Sequence, residues 1–168
     1  MFRLATNDDV PHLQRLLTKA WKVTYAELYP EEYINRVISE FYNYDRLMHE
    51  TSTNSREWSG YYVIEVDKEI IGCIGGGVVD DQTGEIYVLY IDPDQKRKGY
   101  GSELVHEFTR KQIENYNIKI QNVAVTEGNE MGIPFYEKIG FKVKAIKELY
   151  FNDGSVQSKS IVMQRAVS

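Results

Sequence analysis

The stretch Gln95-Lys96-Arg97-Lys98-Gly99-Tyr100-Gly101-Ser102 carries the residue types in this chain that most directly suggest chemistry. It follows the apolar run Ile86–Ile91 and leads into a helical pattern beginning near Glu103, so it reads as a strand, a basic glycine turn and a helix start. Glycines let backbone approach an anion closely, and the free N–H groups and dipole of a helix N-terminus point at it. Lys96, Arg97 and Lys98 add countercharge. A phosphorylated ligand is the expectation, although a solvated basic turn accounts for the same residues. The dinucleotide fingerprint fits poorly because Leu104 stands where its third glycine belongs. No Gly-Lys-Ser/Thr triplet occurs, which argues against nucleotide hydrolysis.

Two further features accompany the turn. Glu85 stands near the start of the preceding strand, and downstream the chain reads Asn129-Glu-Met-Gly-Ile-Pro-Phe135-Tyr136-Glu-Lys-Ile-Gly140-Phe141. The combination resembles the GCN5-related N-acetyltransferase (GNAT) superfamily, whose signature is a Gln/Arg-x-x-Gly-x-Gly/Ala turn followed by an Asn…Tyr…Gly-Phe helix. The resemblance is strong over residues 60–151 and looser over the first helices, so it covers the cofactor side better than the acceptor side. It implies acetyl-CoA as co-substrate and direct transfer of an acetyl group to a primary amine, with no covalent enzyme intermediate. In such proteins two central strands splay and the pantetheine arm lies between them. On that pattern the backbone of Leu89 and Ile91 would pair with pantetheine and the thioester carbonyl. The N–H groups of Lys96, Arg97, Lys98, Gly99, Tyr100, Gly101 and Ser102 would hold the pyrophosphate, and Asn129 would contact the cofactor.

Acetyl transfer from a thioester to an amine needs a neutral amine, support for the developing oxyanion and a proton for the departing thiolate. Tyr136 matches the family tyrosine that meets the sulfur; Phe135 beside it would face a different direction and pack in the core. Glu85, fourteen residues before Gly99, matches the catalytic glutamate of the histone-acetylating branch and would act as general base through water. A solvent-facing glutamate at a strand start is the plainer account. Many protein N-terminal acetyltransferases carry a glutamate on the next strand, where this chain has Ala124. The segment Trp21–Tyr33 is dense in aromatics and carboxylates, and aromatic faces with Glu27, Glu31 or Glu32 could hold an ammonium group. An amphipathic core helix with solvated acids explains the same composition.

Behind these residues the hydrophobic periods set out a frame. Phe2–Ala5 reads as a strand, and Asp8 with Pro11 as a helix start whose apolar stripe runs through Val10, Leu13, Leu17, Ala20 and Trp21. Pro30-Glu-Glu opens a second helix and a short third covers 44–50. Strands at 61–66, 70–79 and 85–91 form an antiparallel meander with a turn at Asp67-Lys68. A helix over 103–116, a strand over 118–125, a short helix over 129–138 and a hairpin of 141–151 with 156–164 complete the order. Gly75-Gly76-Gly77 inside a strand marks either a bulge or a close approach of ligand or backbone.

The expected fold is α/β: one GNAT-like domain over 1–168, with a mixed, mostly antiparallel central sheet flanked by helices. A formal charge of −5 argues against nucleic acid as main partner and suits a cationic substrate. No apolar run is long enough to span a bilayer and no signal-peptide core is present, so the expectation is a cytoplasmic protein without a membrane partner. Lone Cys73 lies in an apolar stretch and reads as a packed thiol, while His12, His49 and His106 have no metal-ligand spacing and read as surface residues. The acceptor expected is a small cationic amine such as a polyamine; a protein lysine or N-terminus, or an acyl-CoA-binding module with weak catalysis, are the alternatives. A homodimer is compatible with the sequence, which is otherwise silent on assembly.

Overall fold

In the computed structural model, residues 1–129, 132–149 and 151–167 are described. Strand β1 (Phe2–Leu4) leads to helices α1 (Val10–Tyr25), α2 (Glu31–Phe41) and α3 (Tyr44–Thr51). Then come β2 (Tyr61–Val66), β3 (Glu69–Val78), β4 (Thr83–Ile91), α4 (Tyr100–Tyr116), β5 (Ile120–Thr126), α5 (Gly132–Ile139), β6 (Lys142–Glu148) and β7 (Lys159–Ala166). The α1 stripe is buried as its period demands, but the helix starts one residue later than Asp8 suggests. Asp9 is the acid that does the work: its carboxylate accepts the Thr6 N–H at 2.8 Å and is gripped by both terminal nitrogens of Arg3 at 2.8 and 3.0 Å. The Arg3 guanidinium holds that carboxyl below its ordinary range. In α3, the side chain of Asn43 caps by accepting the Arg46 N–H at 2.8 Å.

All seven strands join one sheet in the order β1-β2-β3-β4-β5-β7-β6. The Asp67-Lys68 turn places both residues at positive φ, 51° and 65°, the geometry that matches the twist of a two-residue hairpin. Among the described residues only β4 and β5 pair in parallel, because α4 carries the chain across between them; the other neighbours are antiparallel. The last hairpin folds back so that β7 lies between β5 and β6, with shorter arms than the sequence suggests. Glu130 and Met131 of the expected fifth helix and Tyr150 of the expected strand lie outside the described residues. One core packs α1, α2 and α3 on one face of the sheet, with Val63 and Cys73 below them; the other packs α4 and α5 against Ile64, Ile74, Ile86 and Val123. Burial pushes the Cys73 thiol up to about 12, so it stays a protonated packing group. All three histidines are exposed. No helix among the described residues is long and apolar enough to cross a membrane.

Candidate active site

The site begins where two strands part. Parallel pairing of β4 with β5 runs from Thr83 opposite Ile120 to Ile86 opposite Val123 and stops there, although β4 continues to Ile91 and β5 to Thr126. A bulge lies at the same level: Gly76 pairs with Ile86 and Gly75 with Val88, leaving Tyr87 as the extra residue. Close neighbours account for the glycine triplet: a Cβ on Gly75 would meet the Trp58 ring at 2.5 Å. A Cβ on Gly76 would meet the Glu85 carbonyl oxygen at 2.0 Å and one on Gly77 the Glu57 carbonyl oxygen at 2.0 Å. Buried amides stitch the paired half together: Gln112 Nε2 donates to the Gly77 carbonyl at 3.0 Å, and Gln121 Nε2 donates to Gln112 Oε1 at 3.1 Å. Beyond it, the β4 and β5 backbone edges that face each other have no ladder partners in one another. Such groups call for an extended polar ligand.

A cavity of about 670 Å³ fills this gap. Leu89 and Ile91 line it from β4, and Lys96, Arg97, Gly99, Tyr100, Gly101 and Ser102 close one end. Helix α4 starts at Tyr100, three residues before the sequence pattern places it, because Gly99 takes φ +85° as its N-cap. Its first N–H groups therefore open on the cavity. The two glycines have different reasons. A Cβ on Gly99 would meet open space, so only its dihedral matters, whereas one on Gly101 would sit 3.2 Å from the Phe135 ring. Lys98 departs from the expected cradle: its Nζ donates to Gln95 Oε1 at 2.9 Å, and it does not line the cavity. Outside the turn, Lys19 Nζ reaches Asp92 at 2.9 Å and Asp94 at 2.7 Å, tying α1 to the start of the basic loop.

Asn129 and Tyr136 line the other wall. Asn129 Oδ1 accepts the Gly132 N–H at 3.2 Å, which starts α5. Tyr136 is buried, with its ring against Phe135 at 5.0 Å and Phe141 at 5.4 Å between centroids. Burial pushes its phenol above the ordinary range, so the hydroxyl keeps its proton. Behind the helix, Arg165 donates to the Ile139 carbonyl at 3.3 Å and lies 4.8 Å over the Phe141 ring. The same guanidinium donates to Gln121 Oε1 at 3.1 Å and Thr109 Oγ1 at 3.0 Å, joining the buried amide chain.

Glu85 does not line the cavity. It pairs with Gly77 on one side and Asn122 on the other. Because Ile86 packs under α4, Glu85 points to the opposite face, which the bulge makes the face of Val88 and Tyr90. Burial raises its carboxyl, and Lys147 partly opposes the rise. Of the two accounts of the aromatic segment, the structure bears out the amphipathic core helix with solvated acids. Trp21, Tyr25, Tyr29 and Tyr33 are 9, 6, 6 and 2% exposed and pack ring against ring within the α1–α2 core, while Glu27, Glu31 and Glu32 stay in solvent. Amphipathic packing decides there; the rings are too deep to form a cation wall. From this segment only Thr24 and Tyr25 reach the cavity, which Tyr90, Ala124 and Thr126 also line. Tyr90 and Thr126 were not marked by any spacing, since the bulge at Tyr87 breaks the alternation that would place Tyr90.

The acetyltransferase (GNAT) family model matches residues 13–141. The chain belongs to this family. It is an N-acetyltransferase, and acetyl-CoA is its co-substrate. Among relatives, a spermidine N(1)-acetyltransferase of Thermoplasma acidophilum is 30% identical over 138 residues, 82% of this chain and 84% of the relative. A crystal structure of the PaiA N-acetyltransferase from Thermoplasma acidophilum in complex with coenzyme A superposes with a TM-score of 0.83 at 27% identity, over 99% of this chain and 98% of that one. A GCN5-related N-acetyltransferase from Rhodopseudomonas palustris has a TM-score of 0.78 at 15% identity, over 99% and 95%, and speaks to the fold alone. The gap suits the co-substrate: unpaired strand edges for an extended amide-bearing arm, and N–H groups with Lys96 and Arg97 for a pyrophosphate.

Proposed function

We propose that this protein acetylates a small primary amine, with a polyamine as the acceptor class, and that it does so as a single cytoplasmic domain spanning 1–168. The observation that carries the acceptor class is the 30% identity to a spermidine N(1)-acetyltransferase over four-fifths of the chain. The net charge of −5 and the solvated Glu27 on the α1–α2 connection and Glu31 and Glu32 in the first turn of α2 support it through long-range attraction of a polycation.

Acetyl-CoA supplies an activated acetyl group. In this reading the backbone of Leu89 and Ile91 holds the arm in the gap, and the α4 N-terminus with Lys96, Arg97, Gly99, Tyr100, Gly101 and Ser102 holds the phosphates. Asn129 fixes the start of α5 and borders the cofactor. Tyr136 gives its proton to the departing sulfur. Glu85 takes the amine proton through water, because it stands two ladder steps, roughly 7 Å, from Val88. A panel of polyamines, simple monoamines and lysine or N-terminal peptides, assayed for thiol release from acetyl-CoA, tests the reading. Turnover of polyamines well above peptides is expected; robust peptide acetylation with no small-amine turnover refutes the acceptor class.

A further inference from the structure

Two phenols meet in the cavity wall opposite α5. Tyr25, the last residue of α1, and Tyr90 of β4 place their hydroxyl oxygens 3.1 Å apart, and both line the cavity with Thr126. Thr126 neighbours the Tyr25 phenol as a hydrogen-bonding group, and Tyr25 lies near enough to Tyr136 for a charge on it to be felt at the Tyr136 phenol. The cavity thus takes a phenol from each of two helices: Tyr136 from α5 and Tyr25 from α1. Among the described lining residues there is no carboxylate or imidazole, so the polar side chains offered on the α1 side are hydroxyls, those of Thr24 and Tyr25 with Tyr90 and Thr126 beside them.

A tyrosine hydroxyl has one donor and two acceptor positions. With Tyr25 donating to Tyr90 and Thr126 taking one of its lone pairs, the other lone pair of Tyr25 stays open to a substrate. An attacking amine must aim its lone pair at the thioester carbon, so its N–H bonds project away from that carbon. We propose that Tyr25 Oη accepts an N–H of the acceptor's primary amino group and so aims the nitrogen lone pair across the gap, with Tyr90 fixing the orientation of the Tyr25 hydroxyl. Tyr25 takes up no proton in this role. Burial raises both phenols, which keeps them neutral hydrogen-bonding groups. The C–N bond forms and the C–S bond breaks as in the proposed reaction above, on which this inference rests, and the amine proton leaves by the route given there.

The test uses the full chain, acetyl-CoA, spermidine and an analogue whose terminal amines carry one methyl each; if no polyamine turns over, a lysine peptide and its N-methyl-lysine counterpart replace them. Tyr25→Phe should lower kcat/KM for the amine about 10- to 100-fold while the KM for acetyl-CoA stays within about 2-fold. The preference for the primary over the methylated amine should shrink in Tyr25→Phe, and by less in Tyr90→Phe. Unchanged amine kinetics, an unchanged primary-to-methylated ratio, or acetyl-CoA affinity lost in step with amine affinity would overturn the assignment. Should Tyr25→Phe not fold, Thr126→Val carries the test through the same ratio, which must shrink. If no amine is turned over by the unmodified protein, the amine-acetylation reading itself fails; turnover with an unaffected Tyr25→Phe refutes this inference alone.

Discussion

Gly99 and Gly101 stand two residues apart in the same loop, yet substitution at the two should fail for opposite reasons. Gly99 sits at φ +85° with nothing within 4 Å of a Cβ, so alanine there meets no clash but is forced into the left-handed region at about 1–2 kcal/mol. The loop relieves that strain by moving, and the first N–H groups of α4 lose their aim. With 1.4 kcal/mol per factor of ten, Gly99→Ala should weaken acetyl-CoA binding about 5- to 30-fold. Asparagine tolerates the left-handed region, so Gly99→Asn should recover most of the loss, to within about 3-fold of the unmodified protein. Gly101 lies inside α4, and its Cβ would fall 3.2 Å from two atoms of the Phe135 ring. Gly101→Ala should push that ring away, at about 1 kcal/mol and roughly a 5-fold loss of affinity, and Gly101→Asn should be no better. Gly101→Glu, which adds charge as well as bulk beside the phosphate site, should abolish binding. Calorimetric titration of acetyl-CoA into the five variants reads all of this. Recovery by asparagine at 101, or its failure at 99, refutes the division of roles.

Tyr136→Phe should lower kcat about 10- to 1,000-fold with cofactor affinity nearly intact; full activity would make Tyr136 a packing residue. Glu85 works as a base only when ionised, so the acid limb of the rate profile should lie above the ordinary carboxylate range, where burial has moved it. Glu85→Gln should depress the rate most near neutral pH and less at high pH, where more amine is already neutral, whereas a uniform loss points to structure. Lys147→Met should shift that limb further up, since Lys147 is the group that opposes the rise. Reversing Glu31 and Glu32 to Lys should raise the KM for a polycationic amine, and the difference should fade with added salt, because both carboxylates are fully solvated; a salt-independent change contradicts steering.

Element types and order were legible because the apolar periods are regular. The α1 stripe, the Asp67-Lys68 turn and the strand–turn–helix around Gly99 each follow from local chemistry. The split was hidden, because residues Ile86 to Ile91 are apolar throughout and their alternation gives no sign of the bulge at Tyr87 that turns Tyr90 toward α1. The same continuity made Glu85 look nearer the cavity than its ladder position allows. In Trp21–Tyr33, local composition named aromatics and acids correctly, but only packing decides that the rings are core and that Tyr25 alone among them reaches the cavity. Lys98 shows the limit of counting charges in a turn: three adjacent cations cannot all face one anion, and the third pairs with Gln95.

The buried polar chain explains how so short a parallel ladder can define the site. Pairing of β4 with β5 spans four residue pairs, too few to fix by itself where the strands separate. Gln112 and Gln121 are 1% and 0% exposed, and leaving their amides unsatisfied would cost about 1–3 kcal/mol each. They are satisfied only when α4, β3 and β5 adopt this register, with Gln112 on the Gly77 carbonyl and Gln121 on Gln112 and Thr109. A slip by one residue would turn Gln121 to the opposite face and break the chain. Arg165 extends the same constraint to the Ile139 carbonyl and the Phe141 ring that backs Tyr136. The residues that fix the point of separation therefore also fix the phenol that faces it, although they are spread from position 77 to position 165 and, Ile139 apart, none of them lines the cavity.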